Sequence, residues 1–181
     1  METYKLKFTR LQNEIFRFLS IEAGMKFNQS KIAKMLKVSP TAIAKALPLL
    51  EKEELINFEK GDNINLNLVS FNRESPKAVF LKKIENLKLI QEAGLIDFLF
   101  NEFPGCTIIL FGSYSKGEDS VTSDIDIAVV GTKGKEMDLA GFNKKLERTI
   151  NINFYESWKA IHKHLRNNIL NGITLSGAVS L

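Results

Sequence analysis

Asp124 and Asp126, and a Gly112-Ser113 pair that precedes them with ten residues between, are the residues whose types and spacing could do chemistry. The aspartates open an apolar run, Asp124-Ile125-Asp126-Ile127, in which residues two apart share a strand face. Both carboxylates then project from one face, with Ile125 and Ile127 behind them. Two such charges repel unless a cation lies between them, and hard oxygen ligands suit Mg²⁺. Gly112-Ser113 closes a second apolar run, residues 106–111, bounded by Pro104-Gly105 and read as a buried strand. A glycine there permits a sharp turn and close backbone approach. The Ser113 hydroxyl and nearby amides can cradle phosphate oxygens. A phosphate cradle beside a Mg²⁺-binding carboxylate pair is equipment for moving a phosphorus group. The bland alternative is a surface hairpin whose aspartates merely end a strand. The joint spacing of Gly-Ser and Asp-x-Asp, each on an apolar strand, argues against it.

Phe111, Gly112, Ser113, Asp124 and Asp126 together resemble the signature of the DNA polymerase β-like nucleotidyltransferase superfamily, and within it the minimal nucleotidyltransferases of prokaryotes. The likeness runs from about Leu95 onward, and Lys116-Gly117 stands where many relatives carry Arg-Gly. The resemblance implies that Gly112, Ser113 and Lys116 bind the triphosphate of ATP or another nucleotide. It assigns Mg²⁺ or Mn²⁺ to Asp124 and Asp126, which would also be the catalytic residues. The family has a third carboxylate on a later strand, and here the chain departs from it. Residues 149–155 alternate with period two and read as that strand, with Asn151 and Asn153 on its polar face. The resemblance implies that Asn153 takes the carboxylate's position, and an amide carries no charge and cannot act as a base.

The elements that must position these residues begin with three helices. Residues 9–22 carry Leu11, Ile15, Phe18 and Leu19 at helical spacing. Residues 29–36 follow with Asn28 as cap, and a turn through Lys37-Val38-Ser39 leads to a third helix from Pro40 to about Glu53. Pro48 lies inside it and predicts a kink, or a break near Ala46-Leu47. Two alternating runs, residues 55–60 and 64–69 about Gly61-Asp62-Asn63, read as a β-hairpin. This order resembles the winged helix-turn-helix domains of prokaryotic regulators. It implies that Ser39, Thr41, Ala42 and Lys45 face DNA bases or phosphates, and that Lys31, Lys34, Lys37 and Lys60 reach phosphates.

The fold class is therefore α+β. A winged helix over residues 1–70 precedes a nucleotidyltransferase-like domain over 71–181, with linking helices at 77–103 and a mixed sheet flanked by helices at 106–181. A helix is expected at 137–146 and another at 156–171, with Trp158, Ile161, Leu165 and Ile169 inward. His162 and His164, two apart, read as surface residues rather than a metal pair.

Composition sets the outer bounds. The chain has 181 residues, 44% of them hydrophobic, and a formal charge of +4, which excludes a disordered chain and suits, without proving, a nucleic-acid partner. The single cysteine, Cys106, forms no internal disulfide and fits a reducing cytoplasm. No apolar run is long enough for a membrane span, and the first residues lack a signal-peptide segment. Two functions remain. One is transfer of a nucleoside monophosphate to a protein or nucleic-acid hydroxyl, for which the resemblance suggests an antitoxin acting on a HEPN-type toxin. The other is a catalytically degenerate, DNA-binding transcription regulator. Whether the chain is a homodimer is open in either case.

Overall fold

The computed structural model describes residues 7–60 and 67–179, with the side chain of Lys60 outside that description. The expected turn at Gly61-Asp62-Asn63, the strand start at Ile64 and the contact expected of Lys60 lie outside the described residues. The chain divides into two compact units, Met1–Lys82 and Lys83–Leu181.

In the first unit, α1 (Arg10–Ile21) opens with a capping box in which Thr9 and Gln12 satisfy each other's backbone amides. Then come β1 (Phe27–Asn28) and α2 (Gln29–Leu36). Asn28 caps α2 by accepting from the Lys31 amide at 2.8 Å. Lys37 takes a left-handed conformation, φ 55°, which stops α2 and turns the chain toward α3 (Pro40–Lys52). Strands β2 (Ile56–Lys60) and β3 (Asn67–Phe71) pair antiparallel, from Ile56 opposite Phe71 to Lys60 opposite Asn67. β1 adds to the far side of β3, giving the order β1-β3-β2. Ile15, Ile32, Ile43, Leu47, Leu50 and Val69 are wholly buried between the helices and this sheet. Three helices with a tight turn between the last two, followed by a hairpin, make a winged helix-turn-helix.

Of the kink or break expected at Pro48, the break does not occur, and α3 runs unbroken through the proline. Pro48 is exposed, and Ala44, whose carbonyl loses its helical partner, is exposed too, so water can satisfy that oxygen. Buried Ile43, Leu47 and Leu50 anchor the helix on both sides of the proline.

The boundary between the units falls within α4 (Pro76–Glu92), later than the 70/71 division drawn from sequence. The reason is packing: Ala78 and Leu81 join the first core, whereas Leu87 and Ile90 join the second.

The second unit continues with α5 (Leu95–Glu102), β4 (Thr107–Phe111), α6 (Gly112–Lys116), β5 (Ile125–Val130), α7 (Ala140–Leu146), β6 (Ile150–Tyr155), α8 (Lys163–Leu170) and β7 (Ile173–Ser176). The sheet order is β6-β5-β4-β7, with β5 and β6 parallel and the other pairs antiparallel. Ile108, Leu110, Ile125, Ile127 and Ile150 pack on one face against Leu95, Leu99 and Leu146. Ile109, Phe111, Ala128 and Val130 pack on the other against Trp158, Ile161 and Ile169. The single helix expected over 156–171 is instead a 3₁₀ turn, Trp158–Ala160, followed by α8. Trp158 and Ile161 meet the sheet from the turn, while Leu165 stays 36% exposed.

Glu53, just past α3, accepts from Lys7 at 2.5 Å and also pairs with Lys77. Hydrogen bonds from Lys7, then Lys77, hold its carboxyl down at about 2 against an ordinary 4.5. A depressed carboxylate adds stability above its ordinary value and loses it as pH falls through the folded one. Glu53→Gln should therefore lower the melting temperature at neutral pH. The difference from wild type should shrink between pH 4.5 and about 2 in thermal scans.

Candidate functional site

The last pair of the β4–β5 ladder sets Phe111 opposite Asp126, so the residue after Phe111 lies against that carboxylate. That residue is Gly112, at φ +75°, and a Cβ there would stand 2.6 Å from Asp126 Oδ2. Only glycine fits both the conformation and the gap. The turn expected at Gly112-Ser113 opens the short helix α6, closed by Gly117 at φ 78°. Ser115 donates its hydroxyl hydrogen to the Gly112 carbonyl at 2.8 Å, which tightens the first turn. Ser113 is half-buried in that turn and Lys116 is exposed at its end.

Sequence reasoning missed what pins this turn. Asn86 of α4 donates its amide hydrogens to the Tyr114 carbonyl at 2.9 Å and to Asp119 Oδ1 at 2.7 Å. Asn86 is 2% exposed and Asp119 1%, so both groups depend on internal partners. No local pattern around residue 86 signals a contact made so far along the chain.

Asp124 lies immediately before β5 and Asp126 within it, on the face opposite Ile125 and Ile127. The third position needs correction. Asn151 donates from Nδ2 to Asp124 Oδ2 at 3.2 Å and to Asp126 Oδ1 at 3.3 Å. In the parallel register Asn151 stands opposite Asp126, whereas Asn153 stands opposite Ala128. The residue beside the pair is thus Asn151 and not Asn153. Glu156 follows Tyr155, which pairs with Val130, roughly 15 Å along the strand from Asn151. Among the described residues no group of three or more His, Cys, Asp or Glu could hold a metal ion.

This donor set fits one Mg²⁺, which is ordinarily held by one or two carboxylates with substrate phosphates. Asn151 brings partial positive charge to the two aspartates and no third negative one.

The first unit carries a second candidate surface. From Ala23 to Leu50 the chain holds five lysines and no Asp or Glu. Lys26 pairs with Glu59, while Lys31, Lys34, Lys37 and Lys45 are exposed along α2, the turn and α3. Thr41 is exposed and Ala42 half-buried. The Ser39 hydroxyl accepts from the Ala42 amide at 3.2 Å, so it serves first as the cap of α3. Glu51, Glu54 and Glu59 gather elsewhere, around a cleft with Asn57 and Asn72. His162 and His164 are exposed on the second unit, as expected.

Gly112→Ala tests the site's tightest contact. A side chain forced to positive φ costs about 1–3 kcal/mol, and the Asp126 contact adds to it. Urea unfolding of the variant should show at least that loss, and an unchanged midpoint would contradict the geometry.

No helix among the described residues is long and apolar enough to cross a membrane. No curated protein matches the sequence. Solved structures similar to parts of the chain include a zinc-responsive MarR family member, Lactococcus lactis ZitR (27% identity, 56% of this chain, 67% of that one, TM-score 0.41). Wild-type ZitR in complex with DNA is similar at 28% identity, over 56% of this chain and 66% of that one, with a TM-score of 0.41. The adhesin competence repressor AdcR from Streptococcus pyogenes is similar at 18% identity, over 56% and 71%, with a TM-score of 0.43. The chain spans 64% of the length of a ZitR variant to which it is 30% identical. The family model for "Polymerase beta, Nucleotidyltransferase" matches residues 95–177, the segment that holds Gly112, both aspartates and Asn151, so this part of the chain is similar to the nucleotidyltransferase domains of the polymerase β kind.

Proposed function

We propose that this protein is a DNA-binding regulator whose nucleotidyltransferase domain takes up a nucleoside triphosphate with Mg²⁺ and transfers its nucleoside monophosphate, with release of pyrophosphate, slowly or not at all. The observation that carries the reading is the Asn151 amide seated against both aspartates. Asp124 and Asp126 would hold the ion. The Gly112 backbone and the Ser113 hydroxyl would face the triphosphate, with Lys116 as a nearby charge. When bound, Mg²⁺ supplies charge stabilisation at phosphate oxygens. A third carboxylate would complete the metal ligands or act as base, and losing such a group costs on the order of 10²–10⁴ in rate. Asn151 is neutral and supplies neither.

The lysine-rich, acid-free run from Ala23 to Leu50 supports the DNA half of the reading. In this fold α3 enters the major groove while neighbouring lysines meet phosphates. A second reading keeps turnover, because Gly112, Ser113 and both aspartates are present. The protein would then move a nucleoside monophosphate from a triphosphate onto a protein or nucleic-acid hydroxyl, for instance of a HEPN-type toxin, releasing pyrophosphate.

Calorimetric titration with ATP should show binding that weakens when Mg²⁺ is chelated. It should also weaken in the Asp124→Asn, Asp126→Asn double variant, and equal affinities would end the nucleotide reading. In a labelled-ATP incorporation assay with candidate acceptors, Asn151→Asp should raise transfer and Asn153→Asp should not. Fast transfer by the wild type would favour the second reading.

DNA binding should weaken steeply with salt. Replacing Lys31, Lys34, Lys37 or Lys45 by Ala should each lower the log–log salt slope by about 0.9 where that lysine meets a phosphate. Slopes unchanged in all four variants would rule out this face.

A further inference from the structure

We propose that the DNA target is read chiefly at thymines, through contacts between their C5-methyl groups and the Thr41 and Ala44 methyls of α3. This rests on the DNA-binding half of the reading above. Burial fixes which face of α3 is available. Ile43, Ala46, Leu47 and Leu50 are buried against the first core. Thr41, Ala44, Lys45 and Pro48 are exposed, at the spacing that lines one side of a helix. Exposed Lys31, Lys34 and Lys37 precede this face in the chain and no acidic residue lies between Ala23 and Leu50, so the charge of this stretch complements a phosphate backbone.

What this face can say to a base edge is limited. Apart from lysine on guanine, the bidentate readers of guanine and adenine are Arg, Asn and Gln, and cytosine is read by Asp or Glu. None of these residue types occurs from Pro40 to Leu50. Ser39 has its hydroxyl engaged as the cap of α3. Lys45 is the one long donor on the face, a point charge suited to a guanine or a phosphate. The remaining groups are the γ-methyl of Thr41, the β-methyl of Ala44 and the ring of Pro48. In the major groove their chemical partner is the thymine methyl.

The experiment selects a duplex from a random pool with the full chain, then replaces each of its thymines by deoxyuridine, which removes only the methyl. Fluorescence anisotropy should show binding weakened about 3- to 5-fold at each contacted thymine, the scale of one buried methyl. Thr41→Ser keeps the hydroxyl and removes the γ-methyl. It should weaken binding to the thymine duplex by a similar factor and leave binding to the matching deoxyuridine duplex unchanged. Ala44→Gly should do the same at a neighbouring thymine, with melting temperature checked alongside. The proposal is overturned if a selected duplex tolerates deoxyuridine at every thymine, or if neither variant alters the thymine-to-deoxyuridine ratio. Failure to select any duplex overturns the DNA-binding reading itself and takes this one with it. A selected duplex insensitive to deoxyuridine leaves that reading standing and removes only this one.

Discussion

The approach of the Gly112 backbone to the Asp126 carboxylate is the contact around which the second unit is arranged. It exists because β4 and β5 pair antiparallel with Phe111 opposite Asp126, the last rung of the ladder. All five residues of β4 are buried, so both its faces are committed to a core. A one-residue slip of β5 would turn Asp126 toward Leu95 and Leu99 and send Ile127 to the polar side. The hydrophobic pattern of β5 thus fixes where the charges stand, and the glycine admits them. On the far side β6 joins in parallel, which requires a crossover, and the chain spends residues 131–149, including α7, on it.

Much of this was legible locally. Helix starts could be read from capping residues, because Thr9, Asn28 and Ser39 each answer an amide within three residues. The Gly-Ser and Asp-x-Asp pieces could be read because each sits on an apolar strand. What failed was register. Period two puts Asn151 and Asn153 on one face and gives no reason to choose between them. Only the pairing of Asp126 with Asn151 decides, and crossover length sets that pairing. The same limit hid β7. Its four residues pair with a strand more than sixty positions earlier, beside Gly172, where a Cβ would stand 2.4 Å from the Leu110 carbonyl oxygen. The break before α8 was hidden differently: Trp158, Ile161, Leu165 and Ile169 keep helical spacing, so periodicity cannot report that Leu165 is left outside.

Charge is segregated in the first unit in a way that net charge conceals. Residues 1–75 hold 12 Lys and Arg against 9 Asp and Glu, an unremarkable excess of 3. The excess looks different once placed. Lysine is the only charged residue type from Ala23 to Leu50, while six of the nine carboxylates fall from Glu51 onward, among them Glu53, which Lys7 and Lys77 share. A surface field follows local arrangement more than the sum over a chain.

Asn151 has an evolutionary consequence. Asparagine and aspartate are nearly isosteric, and their codons differ by one base. A nucleotide binder and a transferase on this scaffold are therefore neighbours in mutational space. The change is not free, however. An Asp at position 151 would set three carboxylates together where an amide now donates to two. In the absence of a cation that repulsion would fall on folding stability. Selection for a stable metal-free protein would thus hold the amide in place even with no selection against turnover.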